Sequence, residues 1–70
     1  MSVAADLHTT PREREILTWL SHGKTTSEIC EILGVTKFTV ETHKQHAMDR
    51  LGAANVTALV AMALRGKIID

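Results

Sequence analysis

Ile29-Cys30-Glu31-Ile32-Leu33-Gly34-Val35-Thr36-Lys37 joins two helical patterns through one glycine turn. Upstream of the turn, Ile29, Cys30 and Leu33 fall on one side of a short helix over 26–33. Gly34 supplies the left-handed backbone that ends a helix, and Thr36 is placed to cap a longer one over 37–51. A connection this short cannot stack two helices antiparallel, so they cross steeply. The pattern is a helix-turn-helix with its core at about 26–51. At about 1.5 Å per residue, the second helix is roughly 22 Å long and can project from the body.

The four glycines Gly23, Gly34, Gly52 and Gly66 each follow a helical stretch. Starts match these stops. Thr10-Pro11-Arg12-Glu13 is a capping box with proline at the first helical position, and Thr25-Thr26-Ser27-Glu28 repeats the pattern. Thr36 and Asn55 are the caps of two further segments. The expectation is an all-α, four-helix bundle with helices near 11–22, 26–33, 37–51 and 56–65, behind a flexible lead-in over 1–8 and a domain over 9–70. The first helix buries Ile16, Leu17 and Leu20 and turns Glu13 and Arg14 outward. The third has a thin stripe of Val40, Ala47 and Leu51 with Met48 beside it. Lys44 falls inside that stripe and is expected to lay its methylenes on the core with its ammonium in water. The fourth, Val56 to Leu64, is apolar nearly all round and carries more apolar surface than one small core can cover.

A chain of 70 residues with 44% apolar content makes one small core, worth only about 3–5 kcal/mol. Such domains usually need a staple, a metal or a partner subunit. The single cysteine, Cys30, cannot form an internal disulfide, which favours a reducing, cytoplasmic setting. The longest apolar run, Leu59–Leu64, is far short of a membrane span, and Met1–Asp6 lacks the basic flank and apolar stretch of a secretory signal. With Trp19 and Phe38 as the only aromatics, a base-stacking platform for single strands is disfavoured. The formal charge of +0 weighs against nucleic acid, because phosphate binding usually leaves a basic excess. No nucleophile–base set or carboxylate pair suggests an enzyme, and no cofactor is implied. His43 and His46, at i and i+3, lack a third local ligand for a metal. Trp19 and Cys30 read as core, and His8 and His22 as solvated.

A projecting helix of this size fits the major groove of double-stranded DNA, and small polar residues near helix starts suit phosphate contact. The residues themselves resemble the LuxR-type (GerE/FixJ-type) DNA-binding domain of bacterial transcription regulators. The resemblance is carried by Thr10 to Trp19, Gly23 to Ile29, Leu33 to Thr36, Thr39 to His43, Arg50 to Gly52 and Leu64 to Ile69, and it covers about residues 9–69. It implies a dimer on double-stranded DNA, with the third helix in the major groove and the last helix against its symmetry mate. Transferred by position, phosphate contacts fall on Lys24, Thr26, Ser27, Thr36, Lys37, Thr39, His43 and Arg50. Base readout falls on Glu41, Thr42, Gln45 and His46, and dimerisation on Val56, Leu59, Val60, Met62 and Ala63. RNA polymerase is a further partner of such a regulator; a membrane is not.

Several positions depart from the family pattern. Glu41 stands where lysine is common, Gln45 where lysine or arginine is frequent, Lys44 where an apolar residue is usual, and Thr9 where leucine often precedes Thr-Pro. The first two remove positive charge from the reading face, so weak monomer binding and a shallow salt dependence are expected. Two other readings use the same features. One is a dimerisation or anti-activator module that keeps the fold without binding DNA, supported by the neutral charge. The other is a module like region 4 of sigma factors, which the apolar fourth helix suits less well. Whether the chain is a freestanding regulator or the C-terminal domain of a longer one is not written in these residues.

Overall fold

Local chemistry at the helix starts organises the chain. In the computed structural model, which describes residues 9–69, the Thr10 hydroxyl accepts from the Glu13 N–H at 3.1 Å, and the Glu13 carboxylate accepts from the Thr10 N–H at 3.1 Å. This reciprocal cap, with Pro11 at the first position, starts α1 (Pro11–Ser21). Thr25 and Glu28 repeat it at the start of α2 (Thr26–Leu33). Thr36 caps α3 (Lys37–Leu51) and Asn55 caps α4 (Val56–Arg65), each through a side-chain oxygen accepting from an N–H three residues on. The four helices and their order agree with the sequence reading, and among the described residues there is no strand. The lead-in expected over 1–8, with His8, lies outside the described residues.

The turn between α2 and α3 is made as its glycine requires. Gly34 has φ +69, and its N–H bonds back to the Cys30 carbonyl at 2.8 Å. The last stop is built differently from expectation. Gly66 has φ −82, and it is Lys67 that turns left-handed, at φ +57. Ile68 and Ile69 then fold back, their N–H groups reaching the Ala63 carbonyl, and Ile69 is buried. The glycine there closes the helix without needing the conformation that only glycine adopts easily.

Two small apolar clusters hold the helices. Ile16 from α1, Ile29 from α2 and Val40 from α3 form one, with Trp19, Cys30, Leu33 and Val35 packed around them. Leu17 from α1, Ala47 from α3, Leu59 and Ala63 from α4 and the terminal Ile69 form the other, with Met48 and Leu51 beside them. Leu20 touches both. Trp19 and Cys30 therefore belong to the core, as expected. Because α3 contributes to both clusters from one narrow side, its remaining surface is left to solvent. Across the Gly52–Asn55 break the chain axis turns by 61° into α4. The result measures 33 × 20 × 19 Å.

Glu13 overturns the expectation that it faces outward. Its side chain is 1% exposed, and both carboxylate oxygens accept from the Arg50 guanidinium of α3. One residue therefore closes the cap of α1 and clamps the back of α3. A carboxylate can be buried here because the Thr10 N–H and the guanidinium replace the water it loses.

Candidate nucleic-acid interface

The outward side of α3 follows from its helical register. Val40 and Ala47 point into the core, and His43, Lys44, Met48 and Leu51 flank them, half-buried. Diametrically opposite lie Phe38, Thr42, Gln45 and Asp49, one above the other at spacings of three and four. Glu41 and His46 border this stripe and are exposed. The base-readout candidates Glu41, Thr42, Gln45 and His46 thus share one accessible side of one helix. Thr36, Lys37 and Thr39 stand at its N-terminus.

Several of these side chains already have partners within the domain. Thr26, at the first position of α2, donates its hydroxyl to Glu41 Oε2 at 2.9 Å, and Lys44 Nζ donates to the same Glu41 oxygen at 3.1 Å and to Thr26 Oγ1 at 3.2 Å. The three residues tie the start of α2 to the middle of α3. The link bears on the expectations for all three residues. Lys44 does not place a free ammonium in water: its side chain is only 12% exposed and its charge is spent on Glu41. Glu41 has Oε2 occupied and Oε1 without such a bond on a half-exposed side chain, and the Thr26 hydroxyl already donates its hydrogen to Glu41. The Glu41 carboxyl is held below the usual carboxylate range, first by the Thr26 hydroxyl, then by the Lys44 hydrogen bond and charge, with the Lys37 charge adding to them.

Arg50, expected at phosphate, gives one guanidinium nitrogen, Nη1, to both oxygens of Glu13, and its side chain stays 41% exposed. Of the cations on α3, Lys44 and Arg50 are in ion pairs, while Lys37 sits exposed at the first turn. The Thr36 hydroxyl is occupied in capping, accepting from the Thr39 N–H at 3.2 Å and bonding the Thr39 hydroxyl at 3.0 Å. Any phosphate contact by this pair shares its oxygens with the cap. Ser27 is exposed on the first turn of α2 and Lys24 is half-buried just before it. His43 buries its Nδ1 with no hydrogen-bond partner, so contact outside the domain falls to Nε2. Gln45 donates through Nε2 to Asp49 Oδ1 at 3.0 Å, which fixes the amide on the outer stripe.

The expected dimer surface on α4 divides in two. Leu59 and Ala63 are 0% exposed and packed in the core of their own chain, so they cannot meet a partner. Val56, Val60 and Met62 are half-buried. Val56 and Val60 join Ala61, Leu64 and the Leu20–Gly23 end of α1 around an open, mostly apolar cleft of about 400 Å³. Leu64, 43% exposed, was not singled out from sequence, because in an all-apolar helix the pattern does not say which side is covered. The other omission is Phe38. It is 80% exposed and stands on the outer stripe of α3. Among the described residues, no single helix is long and apolar enough to cross a membrane, and no group of three or more His, Cys, Asp or Glu is placed to hold a metal ion.

These features define a helix-turn-helix domain: a short capped helix, a glycine turn, and a longer helix that keeps its outer side clear of the core. The family described as bacterial regulatory proteins, luxR family, matches residues 8–63, and the chain belongs to it. It is 52% identical over 61 residues to the transcriptional activator protein BjaR1 of Bradyrhizobium diazoefficiens, covering 87% of this chain and 25% of that protein. It is 54% identical over 55 residues to the quorum sensing-dependent transcriptional regulator RpaR of Rhodopseudomonas palustris, covering 79% of this chain and 23% of RpaR. To VjbR of Brucella melitensis, described in the same terms, it is 48% identical over 61 residues, 87% of this chain and 24% of VjbR. The chain thus spans about a quarter of the length of these relatives.

Proposed function

We infer that this chain is the DNA-binding domain of a transcription regulator, working in the cytoplasm. It reads double-stranded DNA in the major groove with the outer side of α3. The observation that carries this reading is the stripe Phe38–Thr42–Gln45–Asp49, opposite the core side of α3, in which Phe38, Gln45 and Asp49 are exposed and Thr42 is half-buried. A helix held from behind and bare in front, with a capped helix beside it, suits insertion into a groove about 12 Å wide. Lys24, Ser27, Lys37 and the first-turn N–H groups of α2 and α3 contact phosphate. Thr42 and Gln45 read base edges. Glu41 acts with Thr26 and Lys44 as one joined group rather than as a lone acceptor.

The domain works as a homodimer through α4. Leu64 and Val60 are the central contacts, in place of Leu59 and Ala63, with Val56 and Met62 at the sides. Dimerisation would give two copies of α3 related by a two-fold axis, and so a site with two related halves. RNA polymerase is a further partner at the level of the whole regulator. Membership of the luxR family sets aside the sigma-factor reading.

A second reading, a partner-binding module that does not touch DNA, has one observation in its favour: the net charge of +0 combined with the pairing of Lys44 and Arg50 inside the domain. Binding-site selection from random duplex DNA separates the two. Recovery of a two-fold related sequence with half-sites about one helical turn apart supports the first reading. Failure to enrich any duplex above the starting pool, with the domain folded, overturns it in favour of the second.

A further inference from the structure

We propose that Phe38 is a specificity-determining residue, an apolar finger at the head of α3 that recognises the 5-methyl group of a thymine, and that it makes the half-site an A·T-reading one. This rests on the reading of α3 as the groove helix, and it names what that helix prefers. Phe38 is 80% exposed, while the other exposed large apolar residues among those described, Ile32 and Leu64, are 44% and 43% exposed. Its side chain adds little to either core cluster. It begins the stripe that continues through Thr42 and Gln45, so whatever surface meets those two polar groups also meets the phenyl ring.

Three features of that surface point to thymine and adenine rather than guanine. The stripe itself holds no lysine or arginine that could take the two acceptors of guanine: Lys44 is turned to Glu41 and Thr26, Arg50 gives Nη1 to Glu13, and Lys37 stands at the first turn. The apolar feature in the major-groove code is the thymine methyl, and an exposed phenyl ring is its natural complement. Gln45 offers what adenine asks for. Its bond to Asp49 uses one amide hydrogen and leaves the other, with the amide oxygen, for adenine N7 and N6. Phe38 and Gln45 lie about two turns apart on one helix, roughly 10 Å along the axis, the reach of about three base-pair steps. The half-site is therefore expected to hold a thymine and an adenine about that far apart.

The test starts from the duplex obtained by selection with the unaltered chain. Each thymine in it is replaced singly by deoxyuridine, which removes the methyl group and leaves base pairing intact. Binding is measured for the unaltered chain and for Phe38→Ala and Phe38→Leu, with helicity checked by circular dichroism. One thymine in each half-site should be sensitive, its replacement weakening binding about fourfold, the effect of exposing one buried methyl group. That sensitivity should vanish in Phe38→Ala and persist in part in Phe38→Leu. Uniform tolerance of deoxyuridine by the unaltered chain, or equal sensitivity in Phe38→Ala, overturns the inference while leaving DNA binding in place. If instead no duplex is enriched by the unaltered chain, the groove-helix reading itself fails and the inference falls with it.

Discussion

The front and back of α3 each carry a carboxylate–cation pair, and the two pairs have opposite characters. At the back, Glu13 is 1% exposed and Arg50 closes over it, so breaking the pair strands a charge inside the domain. At the front, Glu41 is 50% exposed, so water can replace Lys44 as its partner at little cost, while Lys44 itself is 12% exposed. The same chemistry therefore does two jobs. The buried pair fixes how α3 sits on the scaffold, and the exposed one sets which charges its reading side presents. Electrostatics in a domain of neutral charge is thus arranged by depth as well as by sum.

The largest effect is expected at the back pair. Glu13→Ala removes the partner of Arg50 and half of the α1 capping box, and should cost about 2–4 kcal/mol, the range for losing one member of a buried pair reduced because Arg50 is partly exposed. Against a total of about 3–5 kcal/mol, the variant should be largely unfolded in urea titrations. Glu13→Gln keeps an acceptor for the Thr10 N–H and should fall between. A loss under about 1 kcal/mol for Glu13→Ala would mean the clamp is ornamental.

At the first turn, Lys37 is exposed and stands outside the ion pairs that hold Lys44 and Arg50. Lys37→Ala should weaken duplex binding about equally for all sequences and flatten the slope of log affinity against log salt by about 1 per domain. The unaltered chain should itself show a shallow slope. A steep one, like that of a strongly basic repressor, would mean that Lys44 and Arg50 leave their partners on DNA.

Smallest in energy is the front pair. Lys44→Met should change stability by less than about 1 kcal/mol, since the Glu41 end is open to solvent. Its signature is a titration. The Glu41 carboxyl, followed by NMR, should titrate below the usual carboxylate range, and Lys44→Met or Thr26→Val should move it up toward that range. Because the folded value is lowered, the contribution of Glu41 is complete above the ordinary carboxylate pKa and is lost as pH falls through the lowered one. No movement in either variant would dissolve the three-residue link between α2 and α3.

What was legible in the residues was whatever chemistry acts over three or four positions. Thr10, Thr25, Thr36 and Asn55 were readable as caps because their partners lie three residues away, and the Gly34 turn because its requirement is local. Glu13 was read correctly as a cap and wrongly as outward, because its second partner is 37 residues on. The Thr26–Glu41–Lys44 link spans 15 and 18 residues and was invisible for the same reason. On α4, Leu59 and Val60 are equally apolar, and only packing separates the core residue from the surface one. The exposure of Phe38 is likewise a matter of packing, because nothing within three or four positions says which side of α3 is covered there.

Contact between the outer side of α3 and DNA can be followed through the backbone amide and side-chain NMR signals of the domain as a selected duplex is added. Shifts should concentrate on Phe38, Thr42, Gln45 and the first turns of α2 and α3, with the Glu13–Arg50 contact and the Leu59 and Ala63 methyl groups unmoved. Shifts confined to the cleft between α1 and α4, with the Phe38–Asp49 stripe silent, would contradict it.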